Sequence, residues 1–471
     1  MNKFFVATPT YYINDKPHIG HAYSTFVADV IARYYRQQGK AVLFSTGVDE
    51  NAQKTVNAAE AAGEDTAVYT KEMSKLWEST WKRAGIDYDV FTRTTSAKHK
   101  KAVYELIKRV EASGDLYKDT YEGFYCVGCE AFIKEKELVD GLCPTHQKKP
   151  EWIKEENYFF RLSKYQKPLL DYIDQHPGFI QPKARHNEVV SFIKQGLQDF
   201  SVSRSTQKWG ITWPGDNKQV VYVWFDALAN YLTAADFPDE SYKKLWPVDL
   251  HIVGKDIIRF HCVYWPAILL SAGIELPKTV FAHGFFTIDG QKISKSLGNA
   301  VDPVDLAGDF GVDALRNYLI AEIPFGEDGE FSHKRFEAVY NSNLANSLGN
   351  LVQRVAVLAT KHLDGKIGRL PKTSVNSDNY DKAFSEIKLT LALEEVWKYV
   401  HKLNLFLQEK QPWEVVKTDR NKFEAIIGQS VADLLEIASL LEPFLPETSE
   451  KIKKTFANSK VHVEVGLLFP K

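Results

Sequence analysis

The chain has 471 residues, enough for about three domains. Its 44% hydrophobic and 25% charged residues are those of an ordinary globular protein, and no stretch approaches the roughly eighteen uninterrupted apolar residues of a membrane span. A net charge of -2 excludes a globally cationic surface, so a nucleic-acid partner has to meet local basic patches, and four cysteines in so long a chain exclude a disulfide framework. The N-terminus enters a strand directly, without the plan of a signal peptide, so a cytoplasmic location and no membrane partner are expected.

Residues 4–7 are a short apolar run that reads as a buried parallel strand. A loop with Pro9, Asn14 and Asp15 follows, and His18-Ile19-Gly20-His21 opens an apolar-periodic run through Phe26, Val27, Val30 and Ile31. Asp15 reads as the N-cap of this helix and Pro17 as a first-turn residue. His18 and His21 then share one face at a helix N-terminus, where the dipole favours an anion. Gly20 between them leaves room for a flat base against the backbone. Two surface histidines at a helix start would show the same spacing.

Residues 41–45 read as a second strand, with Thr46-Gly47-Val48-Asp49-Glu50 at its C-terminal end. Ligands of parallel sheets bind at that end, so Asp49 is placed to hold a cationic amino group; capping the next helix is its alternative role. Residues 54–62, 67–84 and 104–113 read as helices. The alternation breaks near Tyr117. Cys126-Val127-Gly128-Cys129 and Cys143-Pro144-Thr145-His146 follow, two pairs with the spacing of a tetrahedral zinc knuckle. Four protein ligands make such a site structural, with Gly128 and Pro144 suiting its tight turns. Cys262, the remaining cysteine, reads as a small buried apolar residue.

The aromatic stretch 150–180 reads, with the knuckle, as one compact insertion between two halves of a sheet. Residues 191–200 read as a helix returning to the core. Arg204 follows in a loop, as a phosphate contact or an ordinary surface arginine. Residues 220–227 are strongly β-prone, with Trp224 and Tyr231 capping the strand and opening the next helix toward the crevice. Residues 250–254 are another buried strand, ending in Gly254-Lys255-Asp256-Ile257, where an acid suits a ribose hydroxyl pair. His261 and Trp265 lie one and two helical turns on. Residues 280–284 precede a polar, glycine-flanked loop, Gly290-Gln291-Lys292-Ile293-Ser294-Lys295-Ser296-Leu297-Gly298-Asn299, whose lysines suit closure over a polyphosphate. A solvated surface loop is its plainer reading. Beyond Pro303 the chain turns helical, with patterns at 304–310, 313–322, 344–362, 380–409, 423–441 and a shorter one after Glu447; the last residues, 461–471, read as a short strand or tail. The expected architecture is an α/β Rossmann-like catalytic domain with a parallel sheet, an inserted zinc-knuckle connective domain and a C-terminal all-α bundle. Its boundaries are 1–116 and 200–290 for the two catalytic halves, 117–199 for the insertion, 291–340 for the lysine loop and stem-contact region, and 341–471 for the bundle.

The histidine pair and the lysine loop together resemble the HIGH and KMSKS signatures of class I aminoacyl-tRNA synthetases, with Ile293 at the usual methionine. TPTYYINDKPHIGH, TGVDE, the knuckle, VWFDALANY, GKDIIRFHCVYWP, KISKSLGN and LANSLGNLVQR stand in the order seen in the methionyl-tRNA synthetase family. The resemblance covers nearly the whole chain. It implies ATP-dependent activation of L-methionine to methionyl-adenylate, release of pyrophosphate, and transfer of the methionyl group to the 3′-terminal ribose of tRNA(Met). It implies His18, His21, Lys292 and Lys295 as catalytic residues, and His18, Gly20, His21, Arg204, Gly254, Asp256, His283, Lys292 and Lys295 as ATP contacts, with Mg2+ accompanying ATP. It implies a methionine pocket of Thr10, Tyr12, Asp49, Trp224, Ala227, Leu228, Tyr231, Ile257 and His261, and a structural Zn2+ on Cys126, Cys129, Cys143 and His146. In the helical domain, which in the family acts as an anticodon-binding domain, Asn350, Arg354 and Trp413 match positions that read the CAU anticodon.

Two departures stand out. Asn51-Ala52 replaces the His-Gly common in relatives, and His146 stands where many have a fourth cysteine. No additional C-terminal domain is visible, so a monomer is expected. Class I enzymes for isoleucine, valine and leucine carry long editing insertions, which residues 150–180 cannot hold. The cysteine enzyme keeps an open zinc position, which a knuckle lacks. The remaining alternative is a non-catalytic tRNA-binding protein on the same scaffold, which would not need both the histidine pair and the lysine loop.

Overall fold

The computed structural model describes residues 3–288, 290–293, 302–457, 461 and 468–469. They form two compact units, Met1–Gly284 and Phe285–Lys471. In the first unit, strands β1 (Lys3–Tyr12), β2 (Ala41–Asp49) and β3 (Val90–Arg93) are linked by helices α1 (Ile19–Gln37), α2 (Gln53–Ala62) and α3 (Thr66–Arg83), and α4 (Ala97–Ala112) follows. The insertion begins with β4 (Leu116–Cys126), β5 (Ala131–Ile133) and β6 (Glu151–Phe160). Then come α5 (Gln166–Gln175), β7 (Ile180–Gln181), α6 (Lys183–Lys194), β8 (Phe200–Ser201), β9 (Ser203–Arg204), β10 (Thr212–Trp213), β11 (Asp216–Val221), α7 (Val223–Leu228) and α8 (Asn230–Ala234). Strands β12 (Leu250–Gly254) and β13 (Val280–His283) complete the unit.

The parallel sheet runs in the order β3-β2-β1-β12-β13-β7. Phe5, Val6, Ala7, Ile252 and Val253 are wholly buried, which explains why these strands read as unbroken apolar runs. Strand order reverses between β1 and β12, and the crevice outside their C-terminal ends is where such sheets bind ligands. The pairing of β1 with β2 slips between Ala7 and Thr10, around Pro9, which has no N–H to donate. The slip sets Tyr12 opposite Asp49. Gly47 lets β3 approach: a Cβ there would lie 2.3 Å from the Thr92 carbonyl oxygen.

The insertion is a separate antiparallel sheet, β5-β4-β6-β8. It is interrupted by β7, which returns to the edge of the parallel sheet beside β13. A two-residue edge strand leaves no periodic signal in the sequence. The expected helix at 191–200 is displaced: α6 ends at Lys194 and the chain is extended by Phe200. The expected strand at 220–227 stops at Val221, and α7 takes Val223–Leu228. All six residues of α7 are buried, and burial outweighs the β preference of valine, tryptophan and phenylalanine.

In the second unit, β14 (Phe286–Ile288), β15 (Gln291–Lys292) and β16 (Gly329–Phe331) form a small sheet ordered β15-β14-β16. The lysine segment thus begins as a hairpin strand, while Ser294 to Asn299, including Lys295, lie outside the described residues. Helices Asn350–Leu363, Leu389–Lys410, Arg420–Leu441 and Pro446–Thr455 build the bundle. The expected helix at 380–409 is two, broken where Ile387 takes a φ of 56°. Of the expected tail only 461, 468 and 469 are described.

Candidate active site

His18, not Asp15, is the N-cap of α1, and Pro17 lies outside the helix. The Gly20 N–H donates to His18 Nδ1 and the His18 N–H donates to His21 Nδ1, each at 3.2 Å. Two imidazoles therefore replace the usual hydroxyl and carboxylate of a capping box. The rings stack with centroids 3.7 Å apart. Because both Nδ1 atoms accept, each neutral ring carries its hydrogen on Nε2, as a donor. Burial pulls His18 down to about 4 and His21 well below the ordinary histidine value, the latter helped by its neighbours His18 and Lys54. Both stay neutral at physiological pH. The helix N-terminus thus presents two N–H groups of fixed tautomer, a seat for phosphate oxygens.

Asp49 ends β2, wholly buried. Its Oδ1 accepts from the Asn51 N–H at 3.0 Å and from Thr94 Oγ1 at 3.2 Å, while Oδ2 has no protein partner. Burial and then the nearby Asp226 push its carboxyl well above the usual carboxylate range. An unpaired buried carboxylate oxygen is costly, and an incoming ammonium group relieves that cost. Around it stand Tyr12 and Trp224, edge to face at 6.3 Å, and Trp224 stacks on Phe260 at 3.8 Å. His261 Nδ1 donates to the Ile257 carbonyl, so its Nε2 accepts the Tyr231 hydroxyl at 2.7 Å. Burial holds His261 down at about 4, keeping this pair neutral. The result is an apolar, aromatic slot beside one carboxyl oxygen without a protein partner.

Residues 4–150 and 145–356 match the family model for class I tRNA synthetases (M), and residues 371–464 match the anticodon binding domain of methionyl tRNA ligase. The chain belongs to the methionine–tRNA ligase family. It is 41% identical to the methionine–tRNA ligase of Thermotoga maritima, over 99% of this chain and 78% of that one. It is 44% identical to that of Rickettsia bellii, over 96% of this chain and 92% of that one. The solved Mycobacterium tuberculosis methionyl-tRNA synthetase in complex with methionyl-adenylate shares 39% identity and superposes with a TM-score of 0.94 over 100% of both chains.

Cys126, Cys129, Cys143 and His146 meet at the end of β4, as expected for a family knuckle. Their ligand atoms lie within 4.8 Å of one another. Cys129 Sγ is 3.5 Å from Cys143 Sγ and 3.1 Å from His146 Nδ1. Tetrahedral zinc, with bonds of about 2.0–2.3 Å, sets its ligands about 3.3–3.8 Å apart, so the donor set fits a metal. Gly128 is required by packing: a Cβ there would lie 2.6 Å from His146 Cγ.

The remaining predicted residues divide. Thr10 lies on β1, Ala227 and Leu228 on α7, and Ile257 just past β12. Asp256 is exposed beyond β12, and Gly254 admits it closely, since a Cβ would lie 2.6 Å from Asp256 Oδ1. His283 is buried, accepting from Ser24 Oγ at 2.6 Å and donating to the Gly284 carbonyl, so neither nitrogen is open to a ligand. Arg204 is buried with its guanidinium forked onto Glu155, both contacts at 2.8 Å. Arg204 is on β9, and its partner Glu155 is on β6 of the insertion. Asn350 and Arg354, one helical turn apart, and Trp413 are exposed on the helical unit. Among the described residues no helix is long and apolar enough to cross a membrane.

Sequence reasoning missed Lys54. Its Nζ lies 3.4 Å over the Tyr12 ring and donates to the Gly128 carbonyl, while its N–H donates to buried Glu130. It also missed the buried group Asn51, His99 and Asp226. The exchange of His-Gly for Asn51-Ala52 was the one signal pointing there.

Proposed function

We propose that the chain activates L-methionine with ATP to methionyl-adenylate and pyrophosphate, then transfers the methionyl group to the 3′-terminal ribose of tRNA(Met). The observation that carries this reading is the unpartnered Oδ2 of Asp49, an ammonium seat at the same sheet end as two neutral imidazole donors. The family supplies the identity of the amino acid, and the aromatic slot suits a thioether, whose sulfur–ring contacts contribute about 0.3–1.5 kcal/mol each.

Asp49 pairs with the substrate ammonium. A methionine carboxylate oxygen attacks the α-phosphorus of ATP, and the bond to pyrophosphate breaks. Nε2–H of His18 and of His21 donate to phosphate oxygens as charge shifts, which is positioning and electrostatic stabilisation rather than covalent catalysis. Lys292 and Lys295 neutralise the departing pyrophosphate, with Mg2+ arriving on ATP. Gly254 and Asp256 hold the adenosine ribose. Cys126, Cys129, Cys143 and His146 hold a structural zinc ion, which fixes the loop carrying the carbonyls of Gly128 and Cys129. Asn350, Arg354 and Trp413 read the anticodon. Few cysteines, three of them given to the metal, suit a reducing, cytoplasmic setting, and one site per chain suffices for a monomer.

The test is ATP–pyrophosphate exchange with each amino acid in turn. Methionine-dependent exchange is expected. Exchange with a different amino acid alone overturns the specificity, and none at all overturns the enzyme reading.

A further inference from the structure

Behind Asp49 lies a second carboxylate. Asp226 and His99 are wholly buried, and Asn51 and Thr233 nearly so. Asn51 fastens both acids: its backbone N–H donates to Asp49 Oδ1, and its Nδ2 donates to Asp226 Oδ2 at 2.6 Å. The other Asp226 oxygen lies 2.5 Å from His99 Nε2. On the far side of the ring, His99 Nδ1 is 2.9 Å from Thr233 Oγ1. The single hydrogen of that hydroxyl goes to the Ala229 carbonyl at 3.0 Å, so Thr233 can only accept from the ring. His99 Nδ1 therefore carries a hydrogen. A second proton lies between Nε2 and Oδ1, whichever atom holds it. The His99–Asp226 pair is thus electrically neutral as a unit, and two buried carboxylates stand next to a site that needs one.

We propose that His99 and Asp226 are positioning residues of the substrate ammonium site: their neutral pair orients Asn51, and through it Asp49, while leaving Asp49 as the one net negative charge facing the ligand. This inference rests on the reading of Asp49 as the ammonium partner. Asn51 is central because its amide reaches Asp226 while its backbone holds Asp49. Neither His99 nor Asp226 touches the ligand, since every polar atom of the pair already has a protein partner.

The experiment uses the full chain in methionine-dependent ATP–pyrophosphate exchange, comparing Asp49→Asn, His99→Gln, Asp226→Asn and the double variant His99→Gln/Asp226→Asn. His99→Gln leaves the Asp226 carboxylate without its proton partner and adds a buried negative charge beside Asp49, so it should raise the KM for methionine about tenfold while kcat and the KM for ATP stay within about threefold. Asp226→Asn leaves a neutral imidazole, and the double variant is neutral too. Both should keep the methionine KM within about threefold of the parent. A double variant as impaired as His99→Gln overturns the proposal and leaves a packing role. Thr233→Val keeps both charged groups and removes only the acceptor at Nδ1. It should raise the methionine KM several-fold at unchanged kcat, and an unchanged KM overturns the proposal even where the other variants fold poorly. Asp49→Asn separates the two readings. If it leaves the methionine KM unchanged, the ammonium assignment itself is wrong; if it raises KM while the double variant fails to recover, only the role of the pair falls.

Discussion

The indole N–H of Trp224 donates to the carbonyl of Cys129 at 3.3 Å. A wall of the amino-acid slot is thereby tied to a ligand of the knuckle. Lys54 makes a second tie, from the Tyr12 ring to the Gly128 carbonyl, and the Tyr222 hydroxyl makes a third, to the Glu130 carbonyl at 2.6 Å. The metal loop and the slot are therefore one packed structure, although β4 to β6 form their own sheet.

Loss of the metal should accordingly be felt in substrate binding. Binding of a structural zinc is worth on the order of 10 kcal/mol, and a zinc ion on these four ligands would hold the loop carrying these carbonyls. Cys143→Ser, or stripping by a strong chelator, should raise the methionine KM at least tenfold and lower Tm. Metal content and exchange kinetics measured on the same samples check this. Full metal loss with an unchanged KM would disprove the coupling.

Gly128→Ala is a gentler version of the same test. The added methyl collides with the His146 ring, so the imidazole has to leave its place. Metal affinity should fall at least tenfold, as for loss of a ligand or its support. Metal competition titration reads the change directly.

His21→Asn should slow adenylate formation. It removes one fixed Nε2–H donor, a loss of about 10²–10³ in rate where such a donor faces developing charge. The KM for methionine should hardly move. A change confined to KM would contradict a transition-state role for the imidazole.

Acid should destabilise the fold as pH falls from about 6.5 toward 4. Burial holds His18, His261 and His283 at about 4, against 6.5 in the unfolded chain. Between those values the unfolded state binds protons that the folded state refuses, so their contribution is complete above about pH 6.5 and is lost as pH falls toward 4. Asp49, raised by burial, acts in the opposite sense on stability, but its protonation removes the ammonium partner. Tm should drop steadily from pH 6.5 to 5, and the methionine KM should rise over the acid range. Calorimetry and exchange kinetics against pH check both.

Trp413→Ala should separate the two steps of the reaction. A base stacked on an exposed tryptophan is worth about 1–3 kcal/mol, so tRNA charging should fall about 5- to 150-fold. Exchange without tRNA should be unaffected, and a defect there would place Trp413 in the fold rather than in recognition.

Spacing alone carried much of this molecule. His18 to His21, the two Cys-x2-Cys/His pairs and the apolar runs of β1, β2 and β12 were legible because each depends on neighbours in the chain, whose geometry is set by local backbone periodicity. What lay beyond reach depends on partners far apart: Asp226 meets His99 across 127 positions, Arg204 meets Glu155 across 49, and Trp224 meets Cys129 across 95. Burial then decides the chemistry. It turned a β-prone run into α7, drew Arg204 away from solvent, and kept the histidines of α1 neutral. Charge, tautomer and exposure are properties of an environment, and only the folded chain supplies one.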